Sequence, residues 1–298
     1  LRDKGTPLFL VNARLSERSY RRYKRFGFLF RPLFATFCGV GVQNETDALR
    51  LRELGCRPEV IHLIGSLKFD AAKLSERHLL DVPALMQRIG VSPDALILLG
   101  GSTHAGEERI LAEQFLRLQQ RFPRLFLVLV PRHFERSRDV GRELKSLGVK
   151  FIYRSQILDQ TKLAPGKVNC LIVNTTGELR YFYEQATVIF VGKSLAAQGG
   201  QNPIEPGALG KPMVFGPNMQ NFTEVVHNFL TQDGAVQIRN AAELENVIGE
   251  LLADEKRRAR LGQNALKVIR ENLGAVERTV DMIAEHLHER DLYVVPRK

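Results

Sequence analysis

Short apolar runs alternate with longer amphipathic segments through the first 70 residues of the chain. Runs 7–11, 37–42 and 60–64 are mostly apolar, and each predicts a buried strand. Segments 17–28 and 45–54 mix polar and apolar residues, and they predict helices between the strands. Strands that alternate with helices in this way indicate a parallel α/β sheet.

The alternation stops in the polar segment 71–81, where we place a domain boundary. It then resumes, so the rest of the chain predicts a second parallel α/β unit. The predicted strands of this unit are 95–99, 125–130, 168–173, 187–191 and 213–215. A first helix follows the loop after 95–99 and ends near residue 121, and a second spans 135–147. A third begins at Pro203, and three more span 241–252, 254–272 and 275–289.

Composition agrees with a globular protein of two domains. The chain has 298 residues, of which 44% are hydrophobic and 26% are charged, as in a soluble protein. No apolar run approaches the ~18–20 residues of a membrane span. The three cysteines, Cys38, Cys56 and Cys170, lack metal or redox spacing and indicate reduced thiols in a cytosolic protein.

Positive charge is concentrated near the start of the chain. The net charge is +10, and residues 1–70 hold thirteen Lys and Arg against seven Asp and Glu, which favours an anionic partner. Segment 17–28 and its tail place basic residues beside aromatic ones, which predicts a helix that faces a membrane. The alternative is an ordinary solvated helix face. The basic residues of the helix are Arg18, Arg21, Arg22, Lys24 and Arg25.

The stretch 199–205 carries the strongest local signal for a ligand. Asn202 is a good N-cap and Pro203 suits the first helical position, so a helix start points its N–H groups into a glycine-lined space. Such a place suits an anion, and Glu205 could accept hydrogen bonds from sugar hydroxyls. Asn202 and Glu205 also have capping-box spacing, so a purely structural interpretation stays equally open.

Small, hydroxyl or charged residues follow each predicted strand of the second unit. Because ligands of open parallel sheets bind beyond the carboxyl ends of the strands, these residues predict one pocket for a nucleotide-linked sugar. Arg132 offers a planar fork for a phosphate or carboxylate. His104 and His133 could titrate near neutral pH, or either could be an ordinary core histidine. The strand-end residues are Ser102, Thr103, His104, Arg132, His133, Thr176, Gly177, Glu178, Gly192, Ser194, Gly199, Gly200, Asn202 and Glu205.

The sequence excludes two other classes of site, the P-loop phosphate site and common metal sites. The residues Val191 to Ser194 resemble the end of a P-loop, but that motif requires glycine where the chain has Thr187. No Asp-X-Asp sequence and no zinc-like spacing of His and Cys occurs. A site without a metal or another cofactor is therefore predicted.

The order of the motifs resembles the family of Kdo transferases, which move 3-deoxy-D-manno-octulosonic acid (Kdo) from CMP-Kdo to lipid A precursor. The resemblance covers nearly the whole chain and implies a GT-B fold with two Rossmann-like halves. It implies an incomplete acceptor-side domain at 1–73, a donor domain at 74–274 and a terminal helix at 275–298 that crosses back to the first domain. The matching motifs are Asn12-Ala13-Arg14-Leu15-Ser16, Gln43-Asn44-Glu45, 65–70, 102–108, Pro131-Arg132-His133, 176–179, 199–205 and 215–217.

The resemblance also implies partners and residue roles. CMP-Kdo would bind the second half, where Arg132 would hold the charged donor, Glu205 the cytidine ribose, and loop 199–202 would present N–H groups. Arg14 and Lys68 would lie on the acceptor side of the cleft. The acceptor would be lipid A precursor at the cytoplasmic face of the bacterial inner membrane, with no nucleic acid and no metal involved.

The chain departs from the family at Lys193, where a second glycine is usual, and at Gln201, where histidine is usual. Family members also carry an amino-terminal anchor and a glycine-rich loop whose glutamate is taken as the catalytic base. We expect that base upstream of Leu1, so no catalytic residue is named and the isolated chain is expected to be inactive.

The chemistry implied is direct displacement with inversion at the anomeric carbon. A base removes the proton of the acceptor hydroxyl, while Arg132 and the helix start stabilise the charge on the leaving CMP. Three alternatives stay open: a GT-B transferase that uses a UDP-sugar, a basic surface that binds nucleic acid or lipid, and an inactive fragment that only binds nucleotide.

Overall fold

The structure, a computed structural model, describes residues 6–70 and 80–288. The chain divides into two compact units, residues 1–74 with 272–298 and residues 75–271. Its strands are β1 Phe9–Ala13, β2 Gly39–Val42, β3 Ile61–Leu63, β4 Leu96–Thr103, β5 Leu125–Pro131, β6 Phe151–Tyr153, β7 Cys170–Ile172, β8 Val188–Val191, β9 Met213–Phe215 and β10 Val236–Gln237. Its α-helices are α1 Glu17–Arg25, α2 Gly27–Phe34, α3 Glu45–Glu53, α4 Leu67–Asp70, α5 Val82–Arg88, α6 Glu107–Arg121, α7 Ser137–Ser146, α8 Leu179–Gln185, α9 Ile204–Ala208, α10 Thr223–Thr231, α11 Leu244–Ala253, α12 Glu255–Asn272 and α13 Ala275–His288.

The first unit is built on a three-stranded parallel sheet in the order β1-β2-β3. Ser16 caps α1 by accepting the Ser19 N–H, and Asn44 caps α3 in the same way. Helix α13 belongs to this unit, and the buried carboxylate of Asp70 accepts the N–H groups of Gly274 (2.8 Å) and Val276 (2.6 Å) at its start. Asp70 therefore satisfies the first donors of the last helix.

The prediction of one helix over 17–28 is wrong, because the segment forms the end of one helix and the start of another. Phe26, which ends α1, has φ −105° and ψ 35°, outside the helical region, and Gly27 begins α2. The break turns the apolar residues that follow Gly27 into a helix of their own. No helix in 6–70 or 80–288 combines the length and apolarity needed to cross a membrane.

The second unit is built on a seven-stranded parallel sheet in the order β10-β9-β8-β4-β5-β7-β6. Strands β4, β5 and β8 lie in its middle and are almost entirely buried, as expected for a parallel sheet covered on both faces. Both sheets being parallel, the predicted α/β fold is confirmed. Helices α5, α8 and α10 and the strand β6 were not among the predicted elements.

Strand β4 continues to Thr103, four residues beyond its predicted end. The glycines inside it are required by close packing, because a Cβ atom on Gly101 would lie 2.2 Å from the hydroxyl oxygen of the buried Tyr183. Gly100 likewise faces Leu111 of α6. The glycine pair therefore belongs to the sheet and lets Tyr183 lie against it.

Candidate functional site

A cavity of about 420 Å³ opens beyond the carboxyl ends of the strands in the second unit. Strand β4 has β5 on one side and β8, which comes much later in the chain, on the other, so the cavity lies at the topological switch point. The cavity is lined by Ser102, Val130, Pro131, Arg132, Phe134, Thr175, Thr176, Gly177, Leu179, Tyr183, Gln201, Asn202 and Glu205.

Some of the predicted donor residues line this cavity and others do not. Those that line it are Ser102, Arg132, Thr176, Gly177, Asn202 and Glu205. Those that do not are Thr103, His104, His133, Glu178, Gly192, Ser194, Gly199 and Gly200. The donor-binding roles of both groups stay predictions. Only the first group lies where it can contact a ligand in this cavity directly.

The loop after β8 is closed by a carboxylate from the start of α6. Glu107 is fully buried, and its Oε1 accepts the N–H groups of Ser194 (2.8 Å) and Leu195 (2.9 Å). Its Oε2 accepts those of Lys193 (2.7 Å) and His104 (2.9 Å). Four backbone donors of the kind that hold ligand anions are therefore already bonded within the protein.

Ser194 and Gly192 lie inside the protein, in contrast to their predicted place at the donor. The fully buried Ser194 hydroxyl donates to the Val191 carbonyl (2.6 Å) and accepts the Gly216 N–H (2.9 Å). The Gly192 N–H donates to the Gly101 carbonyl, and a Cβ there would lie 2.4 Å from the Ser102 carbonyl oxygen. Both residues hold β8 against its neighbours.

The loop 199–202 does not present a row of N–H groups, because its glycine N–H groups are bonded internally. Gly199 N–H donates to the Gln220 side chain (2.8 Å), and Gly200 N–H donates to the Lys193 carbonyl (3.0 Å). The Gln201 N–H donates to the Gly192 carbonyl. We correct the prediction accordingly: in this conformation the loop shapes the wall of the cavity.

Helix α9 starts at Ile204 and has five residues, so Pro203 precedes it and its macrodipole is small. Asn202 Oδ1 accepts the Ile204 N–H (3.1 Å), and Asn202 Nδ2 donates to Glu205 Oε1 (3.2 Å). The predicted capping box is therefore replaced by a contact between two side chains. Glu205 also lies near Tyr183, whose phenol pKa is raised by burial and further by the Glu205 carboxylate.

Arg132 is exposed and lines the cavity directly after β5. Its N–H donates to the carbonyl of Thr103, a residue whose side chain is fully buried. The turn that follows is held by Arg136, whose guanidinium donates twice to the fully buried Glu108 (2.9 and 3.2 Å). This bidentate contact fixes the turn that carries Arg132, which itself lines the cavity.

His104 and His133 lie together at the rim, with ring centroids 5.8 Å apart and planes at 83°. The His104 ring nitrogen Nε2 is 3.2 Å from Gln201 Nε2. Burial lowers the pKa of His104, the Glu107 carboxylate opposes that shift, and the charges of Lys193, His133 and Arg136 add to it. The neutral imidazole is thereby favoured.

Glu178 is held by its neighbours beside the cavity. Its carboxylate accepts from the Thr175 hydroxyl (2.5 Å) and pairs with Arg154 (3.1 Å), a contact in which both side chains are mostly buried. Glu178 therefore orders the segment that brings Thr175, Thr176 and Gly177 to the cavity.

In the first unit, Arg14 follows β1 directly and Lys68 lies in α4, after β3, so both follow the carboxyl ends of strands. The five basic residues predicted to face a membrane are all exposed. Of the aromatic residues predicted to be exposed with them, Tyr20, Tyr23 and Phe30 instead pack against the core. The exposed apolar surface is on α2, where Phe28 is 82% and Leu29 63% exposed.

Sequence reasoning missed several residues of the site. Glu107, Tyr183 and Gln201 had been given no role, and no local signal marks Tyr183. The signal for Glu107 is its place within the motif 102–108, in the first turn of a helix, but an acidic residue there is also an ordinary helix feature. In the ranges 6–70 and 80–288, no group of His, Cys, Asp or Glu side chains is arranged to hold a metal ion.

Residues 153–268 match the family model of glycosyl transferases group 1. Together with the parallel sheets, this match and the similar solved structures show a glycosyltransferase fold of the GT-B class. The C-terminal CMP-Kdo binding domain of WaaA from Acinetobacter baumannii superposes with a TM-score of 0.57 at 25% identity, covering 68% of this chain and 97% of that domain. Anabaena Alr3699/HepE in complex with UDP shares the fold, with a TM-score of 0.56 at 17% identity over 97% of this chain and 74% of that one.

Residues 1–71 match the family model of 3-deoxy-D-manno-octulosonic-acid transferase. The 3-deoxy-D-manno-octulosonic acid transferase of Haemophilus influenzae is 30% identical over 95% of this chain, and that of Bordetella pertussis is 31% identical over 96%. The chain belongs to the Kdo transferase family. It spans 65% of the length of each of these two relatives.

Proposed function

We propose that the chain is part of an enzyme that transfers Kdo from CMP-Kdo to a lipid A precursor in lipopolysaccharide synthesis, and that its second unit binds the donor. The observation that carries the proposal is the cavity at the switch point, which combines an exposed cation, Arg132, with a carboxylate, Glu205, and hydroxyls. The similarity of this unit to a CMP-Kdo binding domain supports the same donor.

In this proposal the Arg132 guanidinium binds the donor phosphate, because it lines the cavity and its turn is fixed by the Arg136–Glu108 contact. Glu205 accepts hydrogen bonds from the cytidine ribose, with its orientation set by Asn202. The hydroxyls of Ser102 and Thr176 face the same space.

The reaction we propose is direct displacement of CMP by an acceptor hydroxyl, with inversion at the anomeric carbon. Arg132 stabilises the charge that builds on the leaving phosphate, and this task falls to a side chain because the loop N–H groups are occupied. The absence of Asp-X-Asp from the sequence supports a mechanism without a metal.

Isothermal titration of the protein with CMP and with UDP tests the donor. We expect CMP to bind more tightly than UDP. Equal binding, or tighter binding of UDP, would contradict the proposal and favour a transferase that uses a UDP-sugar.

We further propose that α1 and α2 contact the anionic cytoplasmic face of the inner membrane. Helix α1 has no buried residue and exposes five cations, of which Arg21 pairs with Glu17 and Lys24 with Glu53. Helix α2 adds exposed Phe28 and Leu29 beside them. Cations attract anionic headgroups, and exposed apolar side chains enter the interface.

Cosedimentation with anionic vesicles tests this surface. Each basic residue contributes about 1 kcal/mol near such a membrane, so changing Arg21, Arg22 and Arg25 to Gln should remove most of the binding. The matched control changes three exposed cations of α12, Lys256, Lys267 and Arg270, to Gln and should leave binding intact. A wild-type protein that stays in the supernatant at low salt would contradict the membrane role.

A further inference from the structure

Glu107 holds together the two loops that flank the switch point. The first loop follows β4 and contributes the His104 N–H, and the second follows β8 and contributes three consecutive N–H groups, those of Lys193, Ser194 and Leu195. Lys193, Ser194 and Leu195 lie 86 to 88 residues after Glu107 in the chain, so the contact is tertiary.

A concave set of backbone N–H groups is a place where proteins commonly bind an anion of a ligand. Here the anion comes from the protein itself, and the carboxylate is fully buried. The first of these loops also carries a side chain at the rim of the cavity, since His104 Nε2 lies 3.2 Å from Nε2 of Gln201, which lines the cavity.

We propose that Glu107 is a positioning residue of the donor site. Its carboxylate occupies the N–H nest after β8, fixes the two loops to each other, and so sets the positions of His104 and Lys193. The anionic groups of the donor are then recognised by side chains instead of by the nest. This inference rests on the proposed binding of CMP-Kdo in the same unit.

The substitution Glu107→Gln is a sharp test, because each carboxylate oxygen accepts two N–H groups. A glutamine has the same shape, but its NH₂ group donates and must face two of those donors in either orientation. The change therefore breaks about half of the contacts without opening a void.

The control is Asp70→Asn, in the first unit. Asp70 is also buried, loses the same charge and accepts two backbone N–H groups, but these belong to Gly274 and Val276 at the start of α13 and not to the two loops. A general effect of removing a buried carboxylate would appear in both variants.

The first readout needs no ligand and follows the imidazole of His104 by NMR as a function of pH. Because the Glu107 carboxylate opposes the other influences on this ring, its removal should lower the pKa of His104 further. The Asp70→Asn protein should titrate like the wild type at this ring, because Asp70 is not among the groups that act on His104. The second readout is CMP affinity, which should fall by roughly tenfold or more in Glu107→Gln, as for loss of charge-assisted contacts.

An unchanged His104 titration in folded Glu107→Gln would overturn the inference, and so would a shifted titration with unchanged CMP affinity. If the wild type binds no CMP, the proposed function fails, and the His104 titration alone decides whether Glu107 positions the loops. If Glu107→Gln does not fold, amide exchange of the wild type decides. The N–H groups of Lys193, Ser194 and Leu195 should then exchange as slowly as those of β8, and fast exchange would overturn the inference.

Discussion

Both units have a residue other than glycine in the left-handed region where their first strand ends. In the first unit it is Asn12, with φ 53°, and in the second it is Ser102, with φ 51°. The pairing register of the strand shifts at both places, between Leu10 and Ala13 and between Gly101 and Thr103. The two sheets thus end their first strands in the same way.

What lies beyond these strand ends differs. In the first unit, Asn12 Oδ1 accepts from Gln43 Nε2 (2.8 Å) and from the Leu67 N–H (3.4 Å), which ties the ends of β1 and β2 to the start of α4. In the second unit, Ser102 lines an open cavity. The same backbone feature therefore closes one sheet edge and borders an open cavity, the proposed donor site, at the other.

Each unit also contains a buried carboxylate near this edge. Asp47 in α3 accepts the Leu15 N–H (2.8 Å), and its second oxygen is buried without a hydrogen-bond partner in the described structure. Burial raises the pKa of Asp47, although Leu15, Arg50 and Arg14 oppose the shift. Glu107 instead accepts four N–H groups, so the loops of the second unit are fixed much more firmly. A site that binds a ligand through a few side chains needs such support.

The largest effect is expected from adding a methyl group to one glycine in each sheet. Gly101→Ala in β4 would place Cβ against the rigid ring of Tyr183, whereas Gly41→Ala in β2 would meet the flexible end of Ile64, 2.5 Å away. We expect a loss of about 3 kcal/mol for Gly101→Ala and about 1 kcal/mol for Gly41→Ala, the range for overpacked cores. Urea denaturation measures both.

CMP binding by the same two variants tests whether only the second unit binds the nucleotide. Only Gly101→Ala should also abolish CMP binding, because Tyr183 lines the cavity. Loss of CMP binding in a folded Gly41→Ala protein would break the distinction between the two sheet edges.

Next in size is the loss of the cation at the cavity. Arg132→Ala should weaken CMP binding by roughly ten- to hundredfold, as for a charged bidentate contact. Arg138→Ala, at an exposed position of α7 six residues further on, removes the same charge away from the cavity and should change the affinity little. Equal effects in both variants would mean that only the general positive field attracts the nucleotide.

The sequence predicted the alternation of the fold well, because buried parallel strands are continuous apolar runs. The run 213–215 coincides with β9, and 187–191 contains all of β8. The end of β4 was missed because a pair of glycines usually ends a strand. Here glycine is needed because the Tyr183 ring packs against Gly101, and Tyr183 is far away in the chain. Strand β6 is apolar but only three residues long and lies between Lys150 and Arg154, so its run is too short to be recognised as a strand.

The sequence predicted that a residue lies at the cavity where this follows from its position at the end of a strand, as for Ser102 and Arg132. It did not predict the residues whose positions depend on tertiary hydrogen bonds. Nothing local shows that the N–H groups after β8 bind Glu107, or that Ser194 is turned inward by Gly216. Which backbone donors remain for a ligand is a property of the folded chain and not of a motif.

A smaller effect is expected at Glu205, where binding and structural roles can be separated. Glu205→Gln keeps an oxygen that can accept from Asn202, so the melting temperature should barely change. A weaker acceptor for ribose hydroxyls should cost about 1–2 kcal/mol in CMP binding. Wild type and variant should bind 2′,3′-dideoxy-CMP about equally, because it lacks those hydroxyls. A variant with a lower melting temperature and normal CMP binding would make Glu205 a structural residue.

The smallest effect concerns Lys193 and Asn12, and it is expected to have opposite signs in the two units. Lys193 has φ 55°, in the left-handed region, which costs a residue with a Cβ atom about 1–2 kcal/mol. Lys193→Gly relieves that cost but gives the unfolded chain more freedom, worth about 0.5–1 kcal/mol, so a net gain of about 0.5–1 kcal/mol remains.

Asn12 tolerates the same conformation, and its side chain is bonded to Gln43 and Leu67, so Asn12→Gly should lose about 1 kcal/mol. Urea midpoints without ligand measure both variants. Lys193→Ala is the control, because it removes the same side chain but keeps the Cβ atom, and it should not stabilise. If Lys193→Gly and Lys193→Ala behave alike, the effect belongs to the lysine side chain and its neighbours at the rim. If both glycine variants lose stability, the left-handed residue after β8 is not strained, and the contrast between a relaxed first edge and a strained, ligand-binding second edge does not hold.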